Sequence, residues 1–240
     1  QVVADARQVI ANPAIDIVIE LIGGYGIART LVLEALAAGK HVVTANKALL
    51  AVHGSEIFAA ARAKGVMVAF EAAVAGGIPI IKALREGLTA NRIEWVAGII
   101  NGTTNFILSE MRSKGLDFGA VLKQAQALGY AEADPSFDIE GVDAAHKATL
   151  MSAIAFGVPV QFDKAYVEGI TALQAADIRY AEQLGYRIKL LGITKRRGEG
   201  IELRVHPTLV PSTRLIANVE GAMNAVVVQG DAVGTTLYYG

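Results

Sequence analysis

AIDIVIELIGGYGIARTLVLEALAAGKHVVTANKALLAVHGSEIFAAARAKGVMVAF, residues Ala14 to Phe70, alternates short apolar runs with longer segments of helical spacing. Ala14 to Ile22 is mostly apolar, as expected of a parallel strand covered on both faces. Ala28 to Ala38 carries apolar residues at helical spacing and ends at Gly39. His41 to Thr44 reads as a second strand closed by Ala45-Asn46-Lys47, Ala48 to Lys64 as a second helix stopped by Gly65, and Val66 to Phe70 as a third strand. Strand, helix, strand, helix, strand with short connections predicts an α/β fold with a doubly wound parallel sheet. Functional residues in such sheets gather at the carboxyl ends of the strands, where Gly23-Gly24, Asn46-Lys47 and Glu71 fall.

No G-x-G-x-x-G stands between a strand and a helix, because Gly23, Gly24 and Gly26 have the wrong spacing. Either the sheet binds no dinucleotide, or the first strand and its glycine turn precede Gln1. The start on Gln1 and the stop at Tyr239-Gly240, straight after a strand-like run, suggest a fragment.

Working downstream, EAAVAGGIPIIKAL (71–84) places Gly76-Gly77 before Ile78-Pro79, which fits a tight turn into a helix with proline in its first turn. The other interpretation is that backbone carbonyls around Val74 to Ile78, with Glu71, bind a hard cation. Arg92 to Ile100 reads as a strand with Trp95 on a sheet face. Asn101-Gly102-Thr103-Thr104-Asn105 then forms a polar turn before an amphipathic helix, Phe106 to Lys114. The plain interpretation of that turn is a helix cap by Thr103 or Thr104; the functional one is a set of donors aimed into a cleft. Phe118 to Leu128 reads as another helix.

The most informative chemistry lies in GYAEADPSFDIEGVDAAHKATLMSAIAFG, Gly129 to Gly157. An acidic loop with Glu132, Asp134, Asp138 and Glu140 precedes an Ala-rich helix that starts at Val142 and meets no breaker before Gly157. Asp143 and Lys147 are four apart and share one helix face. An i,i+4 pair of this kind is usually a solvated ion pair contributing about 0.3–0.5 kcal/mol. Here the neighbours are Ala144, Ala145, Ala148, Leu150 and Met151, which puts the pair at a cavity edge. A lysine there suits general acid–base work, and the carboxylates upstream suit a cationic group such as an ammonium.

After Pro159 the spacing predicts a helix over Ala175 to Leu184 and strands over Arg187 to Thr194, Ile201 to Val205, Ala225 to Gln229 and Thr235 to Tyr239. Lys195 to Gly200 reads as a solvated hairpin turn, and this half as a mixed or antiparallel sheet with helices. The boundary between the halves falls near Ala75–Gly77.

Across the 240 residues, 53% are hydrophobic and 19% charged, which excludes global disorder. A formal net charge of −1 gives no electrostatic case for nucleic acid or an acidic membrane surface. Absence of cysteine excludes disulfides, thiol catalysis and Cys-ligated zinc, and is compatible with a cytoplasmic setting. No apolar run reaches membrane-spanning length, and Gln1 to Arg7 lacks the apolar core of a signal peptide.

VVTANKALL, EAAVAGGIP, NGTTNFIL, GYAEADPSFDIEGVDAAHKATL, RVHPTLVP and NAVVVQGDAVG, in that order along essentially the whole chain, closely resemble homoserine dehydrogenase. The resemblance implies a truncated Rossmann-type domain over 1–75 and an α+β substrate-binding, catalytic and dimerisation domain over 76–240. It implies reversible oxidation of L-homoserine to L-aspartate 4-semialdehyde with NAD(P), a step toward threonine, methionine and isoleucine. Carried over by motif, Lys147 would donate and accept the proton, and Asp143 would bind substrate and orient that lysine. Glu132 would hold the substrate ammonium, with Tyr130, Asp138, Gly102 and Thr103 lining the same pocket. Lys47 would lie by cofactor and substrate, and Gly23 beneath the dinucleotide. Oxygens of Val74, Gly76 and Ile78, with Glu71 adjacent, would hold a sodium-like ion.

The resemblance further implies a cytoplasmic homodimer with a small-molecule substrate and neither nucleic acid nor membrane as partner. Residues choosing NAD over NADP belong upstream of Gln1. The competing interpretations are a catalytically incomplete amino-acid-binding or oligomerisation fragment, favoured by the missing glycine fingerprint, and a reductase for a different amino-acid semialdehyde.

Overall fold

The computed structural model describes residues 2–240; Gln1, on which the expectation of an incomplete amino terminus rests, lies outside them. Two sheets organise the chain. The first is three-stranded and parallel in the order β1 (Ile17–Glu20), β2 (His41–Thr44), β3 (Val68–Ala69). A short helix, α1 (Ala6–Ala11), precedes it and was not legible in the sequence pattern. Between the strands run α2 (Ile27–Ala37) and α3 (Lys47–Lys64). The Asn46 side chain accepts the Leu49 N–H and starts α3 one residue before the expected Ala48, so Lys47 sits on its first turn. Gly65, left-handed at φ 66°, ends it.

One expectation fails here: β1 is not covered on both faces. Val18 packs inward with Val42 and Val68, and the two-residue period sends Ile17 and Ile19 outward, 55% and 65% exposed. Leu21 and Ile22, just past the strand, are exposed as well.

The second sheet has six strands in the order β5-β7-β6-β4-β8-β9. These are β4 (Ile93–Ile99), β5 (Tyr166–Val167), β6 (Tyr186–Arg197), β7 (Gly200–Pro211), β8 (Ala225–Gly230) and β9 (Gly234–Tyr239). Every pairing is antiparallel except β5 with β7, so the sheet is mixed. The hairpin β6–β7 is longer than expected. The ladder runs through the charged residues to Arg197 opposite Gly200, and Gly198-Glu199 forms the turn with Gly198 at φ 58°. The charged side chains reach water while their backbone stays paired, so Lys195 to Arg197 are strand rather than loop.

Helices α4 (Ile80–Lys82), α5 (Gly102–Lys114), α6 (Phe118–Ala127), α7 (Ser136–Ile139), α8 (Val142–Phe156) and α9 (Ala175–Gln183) complete the fold. A single π-type turn, Ala83–Gly87, extends α4. Helix α8 lies against the six-stranded sheet so closely that a Cβ on Gly192 would stand 3.1 Å from that of Ala148. Its Ala144, Ala145, Ala148, Leu150 and Met151 join the same core as Leu31, Leu36 and Leu49 of the first sheet's helices. Burying a Leu-sized side chain contributes about 1.5–3 kcal/mol, and this shared core ties the two sheets together. Among the described residues no helix is long and apolar enough to cross a membrane.

Candidate active site

Asp143, on the first turn of α8, is 3% exposed and gathers three donors. Lys147 Nζ, one helical turn on, donates to Oδ2 at 2.7 Å, and Asn101 Nδ2 to the same oxygen at 2.9 Å. Lys47 Nζ reaches Oδ1 at 3.1 Å. Burial pushes the Asp143 carboxyl upward, but Lys147 and then Lys47, with the hydrogen bonds from Lys147 and Asn101, hold it below its ordinary value. The solvated ion pair that the i,i+4 spacing usually denotes is therefore not what forms.

Lys147 Nζ also donates to the Ile100 carbonyl at 2.8 Å. Two of its N–H directions are thus fixed, and the remaining tetrahedral direction can carry either a proton or a lone pair. Lys147 keeps 17% of its side chain accessible. That arrangement suits proton transfer to a small molecule at one defined position.

Asn101 closes the site from the β4 end. Its Oδ1 accepts the Thr104 N–H at 2.8 Å and caps α5, in place of the expected threonine. Its second amide hydrogen goes to Asp138 Oδ1 at 2.7 Å, so one amide bridges two carboxylates. Thr103 Oγ1 donates to the Tyr130 carbonyl at 2.7 Å, and the Tyr130 ring stacks on Phe106. Gly102 lies beneath them against Ala222. Lys47 Nζ stands 6.0 Å from the ring centroid of Phe137. Phe137 in turn meets His146 edge-on, and His146 meets Phe162. Burial chiefly, and Lys47 secondarily, depress the His146 pKa against the pull of Asp143.

The structure thus joins Lys47, Asp143 and Lys147 directly, and Asp138 through the Asn101 amide, with Gly102, Thr103 and Tyr130 at one rim. The remaining acidic residues behave differently. Asp134 is turned onto its own loop, accepting from Ser136 N and Oγ. Glu132 and Glu140 are exposed, and among the described residues Glu132 is held only through its carbonyl, which accepts from Gln126.

At the carboxyl edge of the parallel sheet, buried Glu20 accepts the N–H groups of Ile22 and Gly23 at 2.7 and 3.2 Å and the Thr44 hydroxyl at 2.7 Å. Asn46 Nδ2 donates to the Gly24 carbonyl. Gly23 and Gly24 are both left-handed, with open space where a side chain would stand. The 71–78 turn has two successive left-handed residues, Ala75 at φ 60° and Gly76 at φ 59°. A left-handed alanine costs roughly 1–2 kcal/mol, which marks this turn as constrained. Among the described residues the Val74 and Gly76 carbonyls accept no hydrogen bond, whereas that of Ile78 accepts from Ile80 N. The Glu71 carboxylate is engaged by the N–H groups of Ile81 and Lys82.

Sequence reasoning missed Asn101, the Ile100 carbonyl, Phe137 and Glu20. Only Asn101 carried a usable signal, as the first residue of a polar turn leaving a strand.

The family model described as homoserine dehydrogenase matches residues 79–240, and the one described as homoserine dehydrogenase, NAD binding domain, matches residues 1–71. A homoserine dehydrogenase of Pseudomonas aeruginosa is 71% identical over 239 residues, which is 100% of this chain and 55% of that protein. The crystal structure of a homoserine dehydrogenase from Thiobacillus denitrificans superposes with a TM-score of 0.98 at 73% identity, over 99% of this chain and 55% of that one. A hyperthermophilic archaeal homoserine dehydrogenase in complex with NADPH is similar at a TM-score of 0.81 and 28% identity, over 94% of this chain and 65% of its own. The chain spans about half the length of the curated relatives it matches. Matched by family models on both of its sheets, this chain belongs to the homoserine dehydrogenase family.

Proposed function

We propose that the protein bearing this chain interconverts L-homoserine and L-aspartate 4-semialdehyde with NAD(P), in threonine, methionine and isoleucine biosynthesis. The observation that carries this function is the Lys147 ammonium, pinned at 2.7 and 2.8 Å to Asp143 and the Ile100 carbonyl with one direction left open. In the oxidising direction the neutral Lys147 accepts the hydroxyl proton along that open direction; in reverse it returns the proton to the aldehyde oxygen. Asp143 orients the lysine and stabilises its charged form. Bound at the strand ends, the nicotinamide dinucleotide supplies the hydride acceptor. Gly23, left-handed and unobstructed, fits a surface against which such a molecule lies, and Lys47 lies between that edge and Asp143.

Glu132, whose carboxylate has no partner among the described residues, holds the substrate ammonium, and Tyr130, Asp138, Gly102 and Thr103 line the pocket. The two unengaged carbonyls of Val74 and Gly76 fit a sodium-like cation, with Ile78 and Glu71 adjacent. Residues 1–75 serve the nucleotide and 76–240 the substrate, catalysis and dimerisation. An apolar hollow of about 610 Å³ on the six-stranded sheet, lined by Trp95, Leu191, Ile216, Val227 and Leu237, supports a homodimer. The setting is the cytoplasm.

The test is homoserine-dependent reduction of NAD+ and NADP+ by the full-length protein, followed by nicotinamide absorbance. Lys147→Ala lowers kcat by roughly 10²–10⁴-fold while the protein still folds, its melt lowered only by loss of the ion pair with Asp143. Near-normal turnover in Lys147→Ala overturns the assignment.

A further inference from the structure

Lys189, the fourth residue of β6, is 2% exposed and is not among the groups that meet Asp143. Its Nζ donates to Asn105 Oδ1 at 3.0 Å and to the Val219 carbonyl, and lies 3.8 Å from Glu220 Oε1. Glu220 is shared: Arg187 reaches it at 3.1 Å and Arg112 at 3.2 Å, while Arg112 also meets Glu182. Three cations therefore face two carboxylates. Burial above all, with Arg112 and Arg187 adding to it against Glu220, pushes the Lys189 pKa down to about 8. Removing a lysine from water in this way opposes folding, so its charge is a poor source of stability.

What Lys189 fixes is a position. Asn105, whose oxygen it holds, turns its amide toward the carbonyls of Val219, Gly221 and Met223 at 3.1, 2.9 and 3.3 Å. Ser109 adds a fourth tie, accepting the Gly221 N–H at 3.2 Å. The segment 219–223 is thereby strapped along α5. At the far end of the strap, the Ala222 carbonyl lies so close to Gly102 that a Cβ there would come within 2.7 Å. Gly102 follows Asn101 directly, the residue that bridges Asp138 and Asp143.

We propose that Lys189 is a positioning residue: through Asn105 it seats the 219–223 strap beneath the first turn of α5 and so sets the substrate-side wall of the pocket. The kinetic part of this inference rests on the proposed homoserine oxidation.

Two measurements on the full-length protein test it. In Lys189→Met, the KM for homoserine rises about tenfold while that for the dinucleotide stays within twofold, a split that general destabilisation does not produce. Equal rises in both, or no rise in either, overturn the proposal. Amide hydrogen exchange on the unmutated protein needs no turnover and no variant that folds. Gly221 and Thr104 N–H groups exchange through one common opening if strap and first turn are a unit. Fast exchange at Gly221 with Thr104 still protected overturns the proposal. If the unmutated protein shows no homoserine turnover, the functional assignment falls, and exchange decides the role of Lys189 by comparison with Lys189→Met, in which unchanged protection at Gly221 overturns the proposal.

Discussion

Replacing Asn101 separates a helix cap from an active-site bridge. Asn101 is 4% exposed and makes three contacts: a cap to Thr104 N at 2.8 Å, and amide bonds to Asp138 at 2.7 Å and Asp143 at 2.9 Å. Asn101→Ala removes all three. Losing the cap costs about 1 kcal/mol. Hydrogen bonds to charged groups contribute about 1.5–3 kcal/mol each, the lower figure applying at Asp143, which keeps both lysines. The sum is about 4–5.5 kcal/mol, equivalent to a fall of roughly 8–22 °C in Tm for a chain of this size. Asn101→Ser keeps a good cap but cannot span both carboxylates, so its cost is smaller by about 1 kcal/mol. Urea unfolding followed through Trp95, the single tryptophan, measures both. A loss below about 1 kcal/mol in Asn101→Ala would refute the bridge, since the cap alone accounts for that much. Equal losses in the alanine and serine variants would refute the cap.

Two further outcomes follow from the same geometry. Because Asp143 titrates below its unfolded value, its contribution is present above about pH 4 and is lost as the pH falls through the folded value. Asp143→Asn therefore gives a flatter stability curve below about pH 4 than the unmutated chain; parallel acid limbs would refute the linkage. Gly102→Ala puts a Cβ 2.7 Å from the Ala222 carbonyl oxygen, a backbone atom that cannot swing aside as a side chain would. Overpacking of this kind costs about 1–3 kcal/mol, and a thermal melt no lower than that of the parent chain excludes it.

Much of the fold was legible because its elements carry periodic signals. The strand–helix alternation to Phe70 predicts the parallel sheet, and the breaker-free run after Val142 predicts α8 almost to the residue. What escaped had a physical reason in each case. The open face of β1 is invisible in an apolar run, because such a run reports the hydrophobicity of both faces and not whether anything covers them. The continuation of β6 to Arg197 is carried by backbone pairing, which charged side chains neither signal nor prevent. Within the site, Asp143 and Lys147 were legible from helical spacing. The approach of Lys47 to Asp143 spans 96 positions and follows only from the packing of α3 against α8. Asn101 looked like part of a cap and is one; that its amide also bridges two carboxylates depends on where α7 and α8 lie.

The site's electrostatics follow from this topology. Lys47 opens α3, Asn101 caps α5 and Asp143 lies on the first turn of α8, so three helices bring their amino ends to one place. Each amino end carries a partial positive charge, and a carboxylate beside several of them is favoured by more than its lysine partners alone supply. Two lysines, Lys47 and Lys147, and the Asn101 amide then stand against the one carboxylate of Asp143. This balance lets Asp143 remain ionised although it is almost wholly buried. A fixed anion in turn gives Lys147 one orientation in both protonation states, which its proposed acid–base role requires. A solvated Asp–Lys pair with the same spacing would lack that constraint. The catalytic promise of the pair therefore depends on the helix amino ends gathered around it as well as on the two residues themselves.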